Sequence, residues 1–155
     1  MKIAKGSIAI MGSGETSPAL VSVHRNFIEL LDSQVNAYLI DTPFGFQENA
    51  DVLVDKLKLF FKKSVQIDIT LASLRNEKLI DSVEYFEMLE ELGNSNFIFS
   101  GPGSPSYASK TWLKSEIPNI ITNHLNNGKY AIFSSAAAST LGEKAIPVYE
   151  IYKVG

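Results

Sequence analysis

The chain has 155 residues, 45% of them apolar and 20% charged, with a net charge of −3, a size and balance that suit one globular domain around a single core. No cationic surplus marks a nucleic-acid or anionic-membrane surface, and no apolar run approaches the ~20 residues of a membrane helix. The lack of cysteine excludes disulfides and a thiol nucleophile, and two histidines, His24 and His124, are too few for a histidine-rich metal site.

In chain order, the first apolar run, SIAIM (Ser7–Met11), is too short for a secretion signal and reads as a strand. GSGET (Gly12–Thr16) follows it, either a backbone cradle for phosphate or carboxylate or a tight strand-to-helix turn that needs glycine. Ser17 stands where the dinucleotide fingerprint G-x-G-x-x-G has its third glycine, which argues against nucleotide binding. Ser17-Pro18 then pairs an N-cap with a proline at the first helical position, and Leu20, Val23, Phe27, Leu30 and Leu31 form a helical stripe. A second strand, Asn36–Ile40, precedes another stripe made by Ala50, Leu53, Val54, Leu57, Phe60 and Phe61.

A third strand is expected over Val65–Leu71. The helix after it, Leu79–Leu92, turns Asp81, Glu84, Glu87, Glu90 and Glu91 outward, a solvated acidic face rather than a metal site. Gly93 and Gly128 follow helical stretches where a left-handed cap is wanted. A fourth strand, Asn96–Ser100, leads into SGPGSP (Ser100–Pro105). That rigid bend before a helix serves equally well as a capped connection or as a source of N–H groups for an oxyanion. The last strand, Tyr130–Ser134, runs into SSAAAS (Ser134–Ser139).

Strands alternating with helices imply parallel pairing and right-handed crossovers. The expected fold is α/β, a flavodoxin-like doubly wound, mainly parallel sheet with helices on both faces, in three α/β/α layers. Ligands bind such sheets beyond the carboxyl ends of the strands, and here those ends are small, polar or turn-forming. Ser135 is then a candidate nucleophile on a strand-to-helix elbow, with Phe133 and Ala137 where glycines usually stand. By spacing alone, simple helix–sheet packing is the better account of these small residues. Arg75, near a strand's carboxyl end, is a candidate partner for a substrate carboxylate, with a solvated arginine as the plainer reading.

Five segments taken together, MGSGETSP (Met11–Pro18), DTPFGFQENAD (Asp41–Asp51), FSGPGSPSYA (Phe99–Ala108), SSAAAS and VYEIYKVG (Val148–Gly155), resemble the class I glutamine amidotransferase-like superfamily. Within it they resemble the serine-peptidase branch of cyanophycinase and dipeptidase E, and they run in family order along nearly the whole chain. The family elbow is G-[ST]-S-A-G-A, and its second serine attacks the carbonyl. The resemblance implies Ser135 as nucleophile, Ala136 with Gly101 or Gly103 as oxyanion hole, and Glu150 as the acid on the next strand. Gly14, Glu15 and Ser104, in the loops after the first and fourth strands, are further candidates for substrate contact.

The family histidine comes later than Gly155. The implied domain, residues 1–155, therefore lacks its C-terminal part: the chain is the front of a longer protein or a degenerate relative. His124 is expected at the opposite edge of the sheet, and His24 down the first helix, so both read as packing or surface residues. The resulting expectation is a cytoplasmic serine hydrolase of small peptide or peptide-like substrates. It needs no cofactor, metal, nucleic acid or membrane, and a sheet edge left uncovered makes it a homo-oligomer. The alternatives are a catalytically inactive amidotransferase-like domain that binds a ligand or partner, and glutamine amidotransfer, against which the missing thiol argues.

Overall fold

Runs of β-branched and aromatic residues become strands of one parallel sheet because each is followed by a helix-forming stretch too long for a hairpin. The computed structural model describes residues 5–154. Strands β1 (Ser7–Met11), β2 (Ala37–Ile40), β3 (Ile69–Ala72), β4 (Phe97–Ser100) and β5 (Tyr130–Ser134) stand in the order β1-β5-β4-β2-β3, and every neighbouring pair is parallel. The last four follow the flavodoxin-like succession, and β1 adds to the β5 side.

Helices α1 (Val21–Glu29) and α2 (Ala50–Phe60) cover one face, and α3 (Val83–Asn94), α4 (Pro105–Trp112) and α5 (Ile117–Asn126) the other. A short helix α6 (Ser135–Ser139) follows β5 directly. Alternation along the strands divides the core in two. Ala37, Leu39, Phe97, Phe99 and Ile132 pack toward α1 and α2, whereas Tyr38, Ile40, Ile98, Ala131 and Phe133 pack toward α3–α5. This is the three-layer α/β fold expected from the order of elements.

Three local expectations need correction. The third strand begins at Ile69, not Val65, because the buried residues Leu57, Phe61 and Val65 keep a four-residue spacing that carries the helix on through a wide turn. Gln66, with a φ of 70°, ends it. Gly93 lies inside α3, and the following Ser95 closes the helix by donating its N–H and hydroxyl to the carbonyl of Leu92. Leu30 is exposed rather than part of its stripe. Gly128 does take the left-handed conformation, at a φ of 77°.

On β1, Ala9 and Met11 join the α1–α2 core, but Ile8 and Ile10 on its other face are uncovered, Ile10 by 66%. Among the described residues no helix is long and apolar enough to cross a membrane.

Candidate active site

Ser135 stands at the junction of β5 and α6. Ser134 before it is extended, at a φ of −124°, and α6 begins at once, so the chain must reverse within one residue. Ser135 does this with a φ of 49°, left-handed backbone that crowds a Cβ. Ala136 and Ala137 are buried where the turn folds against the sheet, and Ala137 donates its N–H to the carbonyl of Gly101 at 3.1 Å. The small residues of SSAAAS therefore permit a close approach between the elbow and the loop after β4. Phe133, where a glycine is usual, is fully buried on the α3–α5 side, edge to face with Trp112 at a centroid distance of 6.1 Å.

Ser135 opens onto a cavity of about 580 Å³, a size suited to a small ligand. Ala136 and Gly103 line it with Ser135, as do Gly12 at the end of β1 and Val148, Tyr149 and Lys153 near the C-terminus. Gly103 has a φ of 140°, and a Cβ there would lie 1.9 Å from the carbonyl oxygen of Pro43, so no other residue fits this backbone. Gly101 lies just behind, its carbonyl engaged by Ala137.

Ser104 uses its hydroxyl to cap α4, accepting from the N–H of Tyr107 at 3.0 Å, and donates to Glu150. Hydrogen bonds from Ser104 and then Ser106 hold the Glu150 carboxyl below the usual carboxylate range. Its second oxygen, Oε2, is buried without a partner among the described residues. Contrary to expectation, Glu150 is not on a strand: Glu150–Val154 forms one wide helical turn outside the five-stranded sheet.

Gly101, Ser104 and Glu150 stand close in sequence to the cavity-lining residues Gly103, Pro105 and Tyr149 without lining it themselves, and the remaining candidates lie off the cavity as well. Gly14 makes a turn at a φ of 75°, and Glu15 lines a smaller hollow with Lys56, Phe60 and Pro102. Arg75 is held by two carboxylates, Nε on Asp41 at 2.8 Å and Nη2 on Asp51 at 2.6 Å. Gly12, not Gly14, is the glycine of the first loop that faces the cavity, and the sequence carried no signal to separate them.

Both histidines are buried packing residues. His24 donates from Nε2 to the carbonyl of Glu15 at 2.8 Å amid Phe60, Phe61 and Phe99, and burial lowers its pKa. His124 donates to the carbonyl of Tyr130 at 2.9 Å, at the amino end of β5 and hence the opposite edge, and burial pushes it down to about 4. Among the described residues no three His, Cys, Asp or Glu side chains gather as a metal site would require.

No family model matches the sequence, and no curated protein matches it. Among solved structures, a peptidase from an acI-B1 Actinobacterium is similar, with a TM-score of 0.76 and 22% identity over 88% of this chain and 57% of that one. A candidate peptidase E protein from Listeria monocytogenes EGD-e is similar with a TM-score of 0.59 and 17% identity, over 88% of this chain and 61% of that one. The chain thus spans about three-fifths of the length of these neighbours. At such identities the likeness is one of architecture: the chain has the three-layer α/β fold of peptidase E-like structures.

Proposed function

We propose that the chain carries the nucleophile side of a serine peptidase site of the cyanophycinase and dipeptidase E kind. The observation that carries this reading is the left-handed backbone of Ser135 at a strand-to-helix junction, opening onto a cavity. Gln66 uses the same region to end a helix, whereas at a strand-to-helix junction facing a cavity it aims the side chain as a nucleophile elbow does. In the reaction, Ser135 Oγ attacks the carbonyl carbon of an amide and passes its proton to a base. The N–H of Ala136, with that of Gly101 or Gly103, receives the negative oxygen. Collapse expels the protonated amine, and water then releases the acyl group from Ser135.

A serine needs a base within hydrogen-bond reach, and both histidines of this sequence are locked elsewhere. The base in this reading is a histidine from outside the sequence, with Nδ1–H donated to Glu150, whose Oε2 is free to accept. Lys153, the cation on the cavity wall, suits a small acidic peptide or peptide-like substrate. The uncovered Ile8 and Ile10 on edge strand β1 support self-association as a homo-oligomer.

Imidazole in solution can replace the base. With imidazole and an activated acetyl ester, wild type is expected to acquire an acetyl group on Ser135, read by peptide mapping against the background on exposed lysines and tyrosines. Ser135→Ala is expected to acquire none there, and a wild type in which no acetyl maps to Ser135 would sink the reading. One observation favours the alternative of an inactive binding domain: no histidine lines the cavity. Peptide binding by calorimetry, with Ser135 unreactive to the ester, would select it.

A further inference from the structure

We propose that Arg75 is a positioning residue for the Gly101–Ser104 loop, acting through the Thr42–Phe44 turn without touching substrate; its catalytic meaning rests on the hydrolase reading above. The starting point is Asp41, a completely buried carboxylate. Its Oδ1 accepts the N–H of Leu74 at 3.1 Å, and its Oδ2 accepts from Ser73 Oγ at 2.9 Å and from Arg75 Nε at 2.8 Å. A buried charge is stable only when paired and fully hydrogen-bonded, and Arg75 supplies its counter-charge.

Asp41 immediately precedes the tight turn Thr42–Phe44. The carbonyl of Pro43 in that turn accepts the N–H of Ser104 at 2.8 Å, and Gly103 packs against the same carbonyl too closely for any Cβ. At the other end of the turn, a Cβ on Gly45 would lie 2.7 Å from the Cα of Arg75, so turn and arginine are in direct contact. The link closes through α4, where the hydroxyl of Tyr107 donates to the Arg75 carbonyl at 2.6 Å. Arg75 thus braces the loop from both sides, through the turn under Gly103 and through the first turn of α4.

Gly103 shares the cavity wall with Ser135 and Ala136. An oxyanion donor works only when its N–H is aimed to within a few tenths of an ångström, so the brace governs the site without entering it. The second nitrogen of Arg75 goes to Asp51, an exposed carboxylate whose pairing is worth little by itself.

Amide hydrogen exchange, resolved at Ser104 and across residues 100–107, tests this on the protein as it stands. In Arg75→Gln, exchange at the Ser104 N–H is expected to quicken roughly tenfold or more while β5 and α5 keep their protection. Arg75→Lys should recover part of the protection and Asp51→Asn nearly all of it. Unchanged exchange at Ser104, or an equal rise throughout the chain, would overturn the proposal, the latter by reducing Arg75 to general stability. A fluorophosphonate with added imidazole separates the two readings. No labelling of wild-type Ser135 removes the hydrolase reading, and the exchange result still decides what Arg75 holds. Labelling of wild type that Arg75→Gln leaves equally fast overturns the proposal.

Discussion

At Ser135 the fold keeps a left-handed serine, at a φ of 49°, where a glycine would be less crowded by about 1–2 kcal/mol. Ser135→Gly is therefore expected to leave stability unchanged or raise it by up to about 1 kcal/mol in urea unfolding, the gain being offset in part by the freer unfolded chain. Ser135→Ala keeps the strain and should gain nothing. At Gly103 the argument reverses: Ala would drive its Cβ into the Pro43 carbonyl at a φ of 140°. A loss of about 2–4 kcal/mol is expected for Gly103→Ala, and a loss below 1 kcal/mol by the same measurement would contradict that geometry. Phe133 explains how this elbow does without its usual glycine. Its ring fills the α3–α5 core against Trp112, so Phe133→Gly should cost about 3–5 kcal/mol rather than improve the site.

At the scale of elements, the two histidines act as ties between a helix and a strand or loop. His124 joins the last turn of α5 to the start of β5, and His24 joins α1 to the loop after β1. In each, a carbonyl takes the Nε2–H and Nδ1 is buried without a partner among the described residues, so the neutral ring is the one that fits. Burial pushes His124 from 6.5 down to about 4, opposed by its bond to the Tyr130 carbonyl and assisted, more weakly, by the nearby charge of Lys129. Between those two values the unfolded chain binds more protons than the folded one. Stability is thus fully present above pH 6.5 and is lost as pH falls toward 4, by about 3 kcal/mol for His124. His24, also lowered, adds with the same sign. Urea midpoints at pH 7 and pH 4.5 check this, and His124→Gln should flatten the dependence.

For the whole molecule, the consequential feature is the lopsided cover of the sheet. The α1–α2 face extends over β1, but on the other face Ile8 and Ile10 are exposed, Ile10 on the cavity wall, and Ile146, Ile151 and Tyr152 are exposed in the C-terminal segment. Apolar surface of this kind on an edge strand favours association. Sedimentation velocity is expected to show a concentration-dependent rise above the monomer, reduced in Ile8→Lys. A strictly monomeric wild type would remove the oligomer proposal without touching the fold.

The sequence by itself determined the order of strands and helices, the two stripes that became α1 and α2, and the gathering of small polar loops at one sheet edge. These are local properties: burial repeats with the pitch of each element, and a capping serine or proline acts within one turn. It also singled out Ser135 but not its left-handed backbone, which arises only where β5 meets the close-packed Gly101. The helical turn that sets Glu150 against Ser104, the choice of Gly12 over Gly14 at the cavity, and the capture of Arg75 by Asp41 were likewise invisible. Each joins residues from loops far apart in the chain, brought together by the crossover order of a parallel sheet. Nearby spacing carries no record of which loops will meet, so those decisions belong to the tertiary structure.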